Sequence, residues 1–194
     1  MTVGVDGRTA RAIRTRQAVV DAFLALLGEG ELRPSAERIA ERAGVSVRAL
    51  WTNFADLETL WAAAGRRQLE RQHAMARRID PRLPLPERVA ALARQRARIL
   101  EFLAPVARAA QLREPFSPQL RTDRERQYQI AGEELARLFA AELDAAGGGR
   151  AELLHALTAA TTWPAWSSLR DHLGLSVPAA RRVMARTVGA LLGI

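Results

Sequence analysis

The sequence predicts an all-α protein of about nine helices. Alanine, leucine, arginine and glutamate dominate its 194 residues and tyrosine occurs once, a composition that favours helices over strands. No segment alternates apolar and polar residues for long enough to indicate a strand. Proline and glycine are concentrated in short stretches separated by intervals of helical length. These stretches are residues 28–34, 81–86, 115–118, 147–149 and 174–178.

The N-terminal part of the chain predicts four helices in order. The first covers about residues 9–27, carries a broad apolar stripe and stops at the glycine that follows. Two short helices come next: residues 36–43, with Ser35 as the N-cap and Gly44 as the stop, and a second that is capped by Ser46 and ends near residue 53. A longer helix is predicted from residue 57 to about residue 79.

The remainder predicts longer helices separated by proline and glycine. Three prolines in residues 81–86 form a stiff linker, and the helix that follows is expected to kink or break at Pro105. Residues 119–146 are predicted to form one long helix, and three glycines after it form a flexible joint. The last two helices, about 151–173 and 178–192, each carry a wide apolar stripe, and Pro164 is expected inside the first of them.

Composition excludes several classes of site. The chain has no cysteine, which excludes disulfides, thiolate zinc sites, iron–sulfur clusters and cysteine nucleophiles. Its three histidines do not have the spacing of a typical zinc site. No apolar run approaches the roughly 20 residues that span a bilayer, and residues 1–17 hold no apolar segment of a signal peptide. We therefore expect a soluble, cytoplasmic protein with no cofactor and no membrane partner.

The net charge of +8 has two explanations. Every basic residue is an arginine, which is typical of a compositional bias, while an excess of positive charge also suits a polyanionic partner. Residues 1–60 hold eight arginines and eight acidic residues, so charge alone does not distinguish the two. The extreme N-terminus is a clear basic run, formed by Arg8, Arg11, Arg14 and Arg16.

The most informative stretch is residues 39–54, where two short helices must cross tightly. Ala40 is small enough to allow close approach, Gly44 suits the left-handed turn, and Val45 fills the corner. Apolar residues at the remaining inward positions are Ile39, Leu50 and Phe54. This pattern predicts a helix-turn-helix, whose second helix enters the DNA major groove. An ordinary helical hairpin with a glycine stop is the alternative.

The motif in this stretch resembles the signature of the TetR (tetracycline-repressor) family of regulators. It reads Ile39-Ala40-x-x-Ala43-Gly44-Val45-Ser46-x-x-x-Leu50-Trp51-x-x-Phe54-x-x-x-Glu58-x-Leu60, and the resemblance is close over about residues 12–60. It implies a homodimer that reads a palindromic operator in double-stranded DNA and a C-terminal domain that binds a small-molecule effector. The domains would be residues 1–56, for DNA binding, and residues 57–194, for ligand binding and dimerisation. We expect a repressor, the habit of this family.

The resemblance also implies DNA-contacting residues. Val47, Arg48 and Thr52 would meet base edges, with Arg48 bidentate to guanine, while Trp51 and Asn53 would lie near phosphates. The remaining candidates are Ser35 and Ser46 at helix N-termini, with Arg14 and Arg16 of the basic run.

Three departures from the family pattern concern affinity. Trp51 stands where tyrosine is usual, Leu57 stands where lysine is usual, and Glu37 adds a negative charge. Losing one phosphate contact should lower affinity for DNA and reduce its salt dependence. A dimeric helical module that has lost specific DNA binding and acts through protein contacts is the alternative function.

Candidates in the C-terminal region are mostly apolar and aromatic residues, and the alternative for each is that it simply packs in the hydrophobic core. The apolar character of these helices favours an apolar or aromatic effector between them. Ligand-binding candidates are Trp61, Met75, Phe102, Gln111, Phe116, Tyr128, His155 and Trp163. Dimer-interface candidates are Leu154, Leu157, Leu169, Met184, Val188 and Leu191. We do not expect an enzyme, because Ser167, Ser168, Asp171 and the histidines show no triad-like order.

Overall fold

The computed structural model describes residues 7–194, apart from the side chain of Arg8, and every regular element in this part of the chain is helical. The all-α prediction is therefore confirmed. The helices are α1 (Gly7–Gly28), α2 (Ala36–Ala43), α3 (Val47–Asn53), α4 (Leu57–Met75), α5 (Leu85–Arg113), α6 (Pro118–Leu138), α7 (Ala140–Ala145), α8 (Arg150–Thr161), α9 (Trp163–Ser167) and α10 (Val177–Leu191). None of the helices described has an apolar stretch long enough to cross a bilayer.

The described residues form two compact units. The first unit contains residues 7–71 together with Pro105–Asp123, and the second contains Gln72–Ala104 together with Arg124–Ile194. These units reflect which parts of the backbone pack closely together. The boundary predicted at residue 56 divides the chain by function and not by packing. It therefore stays a prediction.

The core of the first unit is built on the apolar stripe of α1. Phe23 and Trp61 meet edge to face, with ring centroids 4.9 Å apart and planes at 88°. Leu50 and Phe54 are completely buried in the same cluster. The amphipathic face of α1 therefore anchors both short helices that follow it.

Helix α4 ends earlier than predicted. It stops at Met75 rather than near residue 79. The backbone N–H of Arg77 donates a hydrogen bond to Oε1 of Gln95 at 2.7 Å, so a side chain from α5 takes the place of the next helical acceptor. Because that acceptor is distant in sequence, the local pattern does not reveal where α4 ends.

Helix α5 continues through Pro105, where a kink or break was predicted. The helix runs unbroken for 29 residues. A proline removes one intrahelical hydrogen bond. Ala104 before it and Ala109 after it are both buried, so packing supports the helix on both sides of the proline. The prediction of a break was wrong, although the chain passes from the second unit to the first at this residue.

The long helix predicted over residues 119–146 is two helices. The break lies at Phe139, which is fully buried and has φ −116° and ψ 32°. Immediately before it, the carbonyl of Leu138 accepts a hydrogen bond from Nη1 of Arg88 at 2.8 Å. The three glycines that follow α7 form one turn of 3₁₀ helix, so the predicted flexible joint is a helical turn.

The helix predicted over residues 151–173 is also interrupted. α8 ends at Thr161, and Thr162 has extended backbone angles, φ −104° and ψ 175°. Pro164 therefore lies in the first turn of α9, where its missing N–H costs nothing, and not inside a helix. A π-helical turn over Ser168–His172 follows, and α10 begins after its N-cap, Ser176.

Candidate nucleic-acid interface

The turn between α2 and α3 has the geometry that the sequence predicts. Gly44 adopts left-handed angles, φ 66° and ψ 33°. Its N–H donates to the Glu41 carbonyl at 3.1 Å, and the N–H of Val45 donates to the Ala40 carbonyl at 3.0 Å. This pair of bonds is a Schellman motif. A Cβ at residue 44 would meet no atom within 4 Å, so backbone conformation rather than crowding requires glycine.

Both predicted serine caps are present. Oγ of Ser35 accepts a hydrogen bond from the N–H of Arg38 at 3.3 Å, and Oγ of Ser46 accepts one from the N–H of Ala49 at 3.1 Å. Glu37 lies in the first turn of α2, where hydrogen bonds from its own backbone N–H and from Ser35 lower the pKa of its carboxyl group. These hydrogen bonds favour the charged form of the carboxylate that the sequence places there.

Helix α3 has one buried side and one exposed side. Leu50 is completely buried, whereas Arg48, Trp51 and Thr52 are exposed and, at spacings of three and four residues, share one face of the helix. We call these three residues the outer face of α3. Oγ1 of Thr52 donates a hydrogen bond to the Arg48 carbonyl at 2.8 Å. The outer face of α3 is therefore open to a partner.

Two predicted DNA-contacting residues of α3 are oriented differently. Val47, which was predicted to meet a base edge, is half-buried and packs against the core of the first unit. Asn53 is half-buried, and its Nδ2 donates to the Ala49 carbonyl at 2.8 Å. The side chain of Val47 is therefore engaged in apolar packing, and that of Asn53 is engaged in a hydrogen bond within its own helix.

The arginines of α2 are neutralised by nearby carboxylates. Nη1 of Arg38 lies 2.8 Å from Oε2 of Glu41, and Arg38 also lies 3.7 Å from Glu31. Arg42 pairs with Glu29, which raises the pKa of its guanidinium. In contrast, no hydrogen bond or ion pair within the described residues holds the side chains of Arg11, Arg14, Arg33 and Arg48. We call these four the unpaired arginines.

Arg16 has a structural partner that the sequence analysis missed. Its guanidinium carbon lies 4.2 Å from the centroid of the Phe54 ring, and Nη1 donates to the Asn53 carbonyl. The predicted role of Arg16 as a DNA contact thus competes with a role in holding the end of α3. Arg14 is exposed, and the side chain of Arg8 lies outside the part of the chain that the structure describes.

The predicted ligand residues divide between the units. Trp61 and Phe116 line one cavity of about 450 Å³ in the first unit. Gln111 is exposed in the same unit and does not line that cavity. The other five belong to the second unit: Met75, Phe102 and Tyr128 are half-buried, Trp163 is buried, and His155 is exposed.

Three predicted dimer residues belong to the core instead. Leu157, Met184 and Val188 are buried within a single chain, so they are not available to a second copy, and this part of the prediction was wrong. Leu154 and Leu169 are half-buried. Of the six predicted dimer residues, only Leu191 is exposed. Val183, which was not among them, is also exposed and lies eight residues earlier on α10. The spacing of these two was a usable signal, because residues eight apart share a helix face.

Glu58 is a further residue of the motif whose role the structure makes clear. Its Oε1 accepts hydrogen bonds from Nη2 and Nε of Arg113 at 3.0 and 3.2 Å, and its Oε2 accepts one from the hydroxyl of Ser117. These bonds join the start of α4 to the end of α5 within the first unit.

Comparison of the chain with protein-family models, curated proteins and solved structures finds no match. The TetR resemblance therefore stays a prediction.

Proposed function

We propose that this protein is a ligand-responsive DNA-binding transcriptional regulator, a repressor, that reads a palindromic operator. The observation that carries this proposal is the outer face of α3. Arg48, Trp51 and Thr52 face solvent on a short helix that is anchored beneath by Leu50 and Phe54. A large aromatic side chain exposed beside an arginine without a partner in the described residues favours this function over an ordinary helical hairpin.

The chemistry of this face suits a DNA groove. The major groove is about 12 Å wide and admits one helix. Arg48, which has no partner among the described residues, can give two N–H groups to N7 and O6 of guanine. The exposed indole of Trp51 offers an N–H to a phosphate in place of the tyrosine hydroxyl of related motifs.

The charge distribution supports the same proposal. The carboxylates around α2 neutralise Arg38 and Arg42, whereas the unpaired arginines have no carboxylate partner among the described residues and keep their positive charge. Each arginine that reaches a phosphate releases condensed counterions, which makes binding depend on salt. Arg11 and Arg14 lie on α1, and Arg48 lies on α3.

A palindromic operator calls for a symmetric pair of chains, so we extend the proposal to a homodimer. The exposed apolar residues of α10, Val183 and Leu191, supply the contact. The buried residues beneath them give that helix a rigid support, since Met184 and Val188 are almost fully enclosed.

The alternative is a helical module without specific DNA binding. Glu37 favours it, because its carboxylate carries a negative charge at neutral pH in the first turn of α2 and repels phosphate. Leu57 favours it too, since this side chain packs against the core of the first unit and supplies no phosphate contact.

The test is selection of duplexes from a random library, followed by titration of the best sequence and a scrambled control at two salt concentrations. We expect a palindrome that binds at least about 10³-fold more tightly than the control, with affinity falling as salt rises. Equal, weak binding to both duplexes would overturn the proposal in favour of the module without specific DNA binding.

A further inference from the structure

The first unit contains a cavity of about 450 Å³ between α1, the loop before α2, the start of α4 and the end of α5. Its volume lies within the range of small-molecule sites, roughly 300–1,000 Å³. The cavity lies wholly within the unit that carries α3. We call it the Arg33 cavity.

The inner wall of the Arg33 cavity is apolar and aromatic. Phe23 and Trp61 form its floor as an edge-to-face pair, and Leu57 lies beside them. At the rim, Phe116 is 84% exposed and Leu112 is 44% exposed. Exposing two large apolar side chains at the mouth of a cavity costs free energy that an apolar occupant recovers by covering them.

The charged residues at the rim indicate the chemistry of the polar end of the ligand. Two arginines line the cavity, Arg33 and Arg113. Arg113 is held by Glu58 through two hydrogen bonds, whereas Arg33 is exposed and has no ion pair within the described part of the chain. Of the two lining arginines, Arg33 is therefore the one whose guanidinium is not already paired, and a guanidinium matches a carboxylate in geometry and charge.

We propose that the Arg33 cavity binds a small apolar carboxylic acid, with an aromatic ring or acyl chain against Trp61 and Phe116 and the carboxylate on Arg33. This assigns a ligand class and a site in the unit that bears α3, apart from the second unit that holds most of the residues predicted to bind ligand.

The position of Arg33 connects this site to DNA binding, a consequence that rests on the proposed function. Arg33 and Pro34 directly precede Ser35, whose hydroxyl caps α2. A carboxylate on Arg33 neutralises one of the unpaired arginines and brings negative charge to the N-terminus of α2. DNA phosphates and the ligand therefore compete for the same positive potential, and bound ligand lowers affinity for DNA.

The test measures binding of three probes by isothermal titration calorimetry, without DNA. The probes are naphthoate, decanoate and the neutral naphthalenemethanol. We expect saturable one-to-one binding of at least one acid, and weaker binding of the neutral analogue. Arg33→Ala should weaken the acid about tenfold or more and leave the neutral analogue unchanged, because a charge-assisted hydrogen bond is lost.

Arg66→Ala is the matched control, since Arg66 is exposed on α4 of the same unit, has no ion pair in the described residues and does not line the cavity. Phe116→Ala is a second variant, expected to weaken both acid and neutral analogue; its side chain is too exposed for its loss to unfold the protein. No binding of either acid at millimolar concentration, or equal weakening by Arg33→Ala and Arg66→Ala, would overturn the site.

Gel shifts with and without the bound acid separate this inference from the proposed function. Arg33-dependent binding of acid by a protein that binds no DNA specifically would support the site and overturn the proposed function. Specific DNA binding with no uptake of acid would do the reverse. If the acid binds but the affinity for DNA does not change, the proposed competition between ligand and DNA is wrong.

Discussion

The guanidinium of Arg16 lies over the face of the Phe54 ring, 4.2 Å from its centroid, and donates a hydrogen bond to the carbonyl of Asn53. A side chain of α1 therefore holds the last turn of α3, 37 residues further along the chain. The cation–π contact and the hydrogen bond together tie the C-terminal end of α3 to α1.

Replacing Arg16 with alanine should lower the free energy of unfolding by about 1–2 kcal/mol, the sum of the cation–π contact and the hydrogen bond to the carbonyl. Urea denaturation measures this. Arg14→Ala is the control: its side chain is exposed, and its effect on stability should stay within about 0.5 kcal/mol. Equal effects of the two substitutions would show that the contact with Phe54 contributes nothing.

Arg48→Ala should relax the preference for one base pair of the selected operator and cost about 1–3 kcal/mol of binding free energy there. Competition titrations against operators with single base changes measure this. Stability should not change, because Arg48 has no partner in the described residues. A uniform loss of affinity for all operators would identify Arg48 as a phosphate contact instead.

Gly44→Ala should destabilise the protein by about 1–2 kcal/mol, because an L-residue with a Cβ is strained at φ 66°. Gly44→Asn should cost less, since asparagine tolerates left-handed angles. Thermal unfolding compares them with Gly28→Ala, a glycine at the end of α1 that has no positive φ. If Gly28→Ala destabilises as much as Gly44→Ala, the turn conformation is not the cause.

The pair of Arg88 and Glu142 in the second unit should make stability depend on pH. Arg88 is buried, and its Nη1 and Nη2 lie 2.9 and 2.6 Å from the carboxylate, which lowers the pKa of Glu142 below its ordinary value of 4.5. The stabilisation is complete above that ordinary value and is lost as the pH falls through the lower pKa of the folded state.

Glu142→Gln should therefore cost about 3 kcal/mol at neutral pH, because a buried guanidinium loses its counter-charge, and less in acid. Urea denaturation as a function of pH measures both. Asp144→Asn is the control, since Asp144 pairs with Arg150 at the exposed surface and should change stability by less than about 1 kcal/mol. A loss for Glu142→Gln that is independent of pH would contradict the assignment.

Val183→Arg should weaken the proposed dimer, because a charge would replace an apolar contact between the two chains. Light scattering during size-exclusion chromatography measures the mass as the protein is diluted. The fold should be unaffected, since Val183 is exposed in the single chain. If the variant has the same mass as the unaltered protein at every dilution, the dimer contact does not lie at Val183.

The sequence predicted the short helices α2 and α3 accurately because short-range signals define them. Ser35, Gly44 and Ser46 each act on backbone groups within five residues, so their residue types carry the information. The alternation of buried and exposed positions in α3 was also evident from spacing, which is why Leu50 and Arg48 were assigned correctly to opposite sides.

The errors concern partners that are distant along the chain. α4 stops where Gln95 reaches its backbone, and α6 stops beside a carbonyl bonded to Arg88, 50 residues earlier. The apolar stripe of α10 was correct, but a stripe does not say which of its members are enclosed by the same chain. Met184 is enclosed, and Leu191 is not.

The sequence alone determined that the chain is helical and where its short helices turn, because backbone propensities and caps act over a few residues. Tertiary structure alone decided which charges remain free. The chain holds eight arginines in its first 60 residues, and composition treats them alike. Packing pairs Arg42 with Glu29 and places Arg16 on Phe54, and it leaves Arg33 and Arg48 exposed. Coulomb energy and desolvation depend on distances in space, which spacing along the chain does not fix.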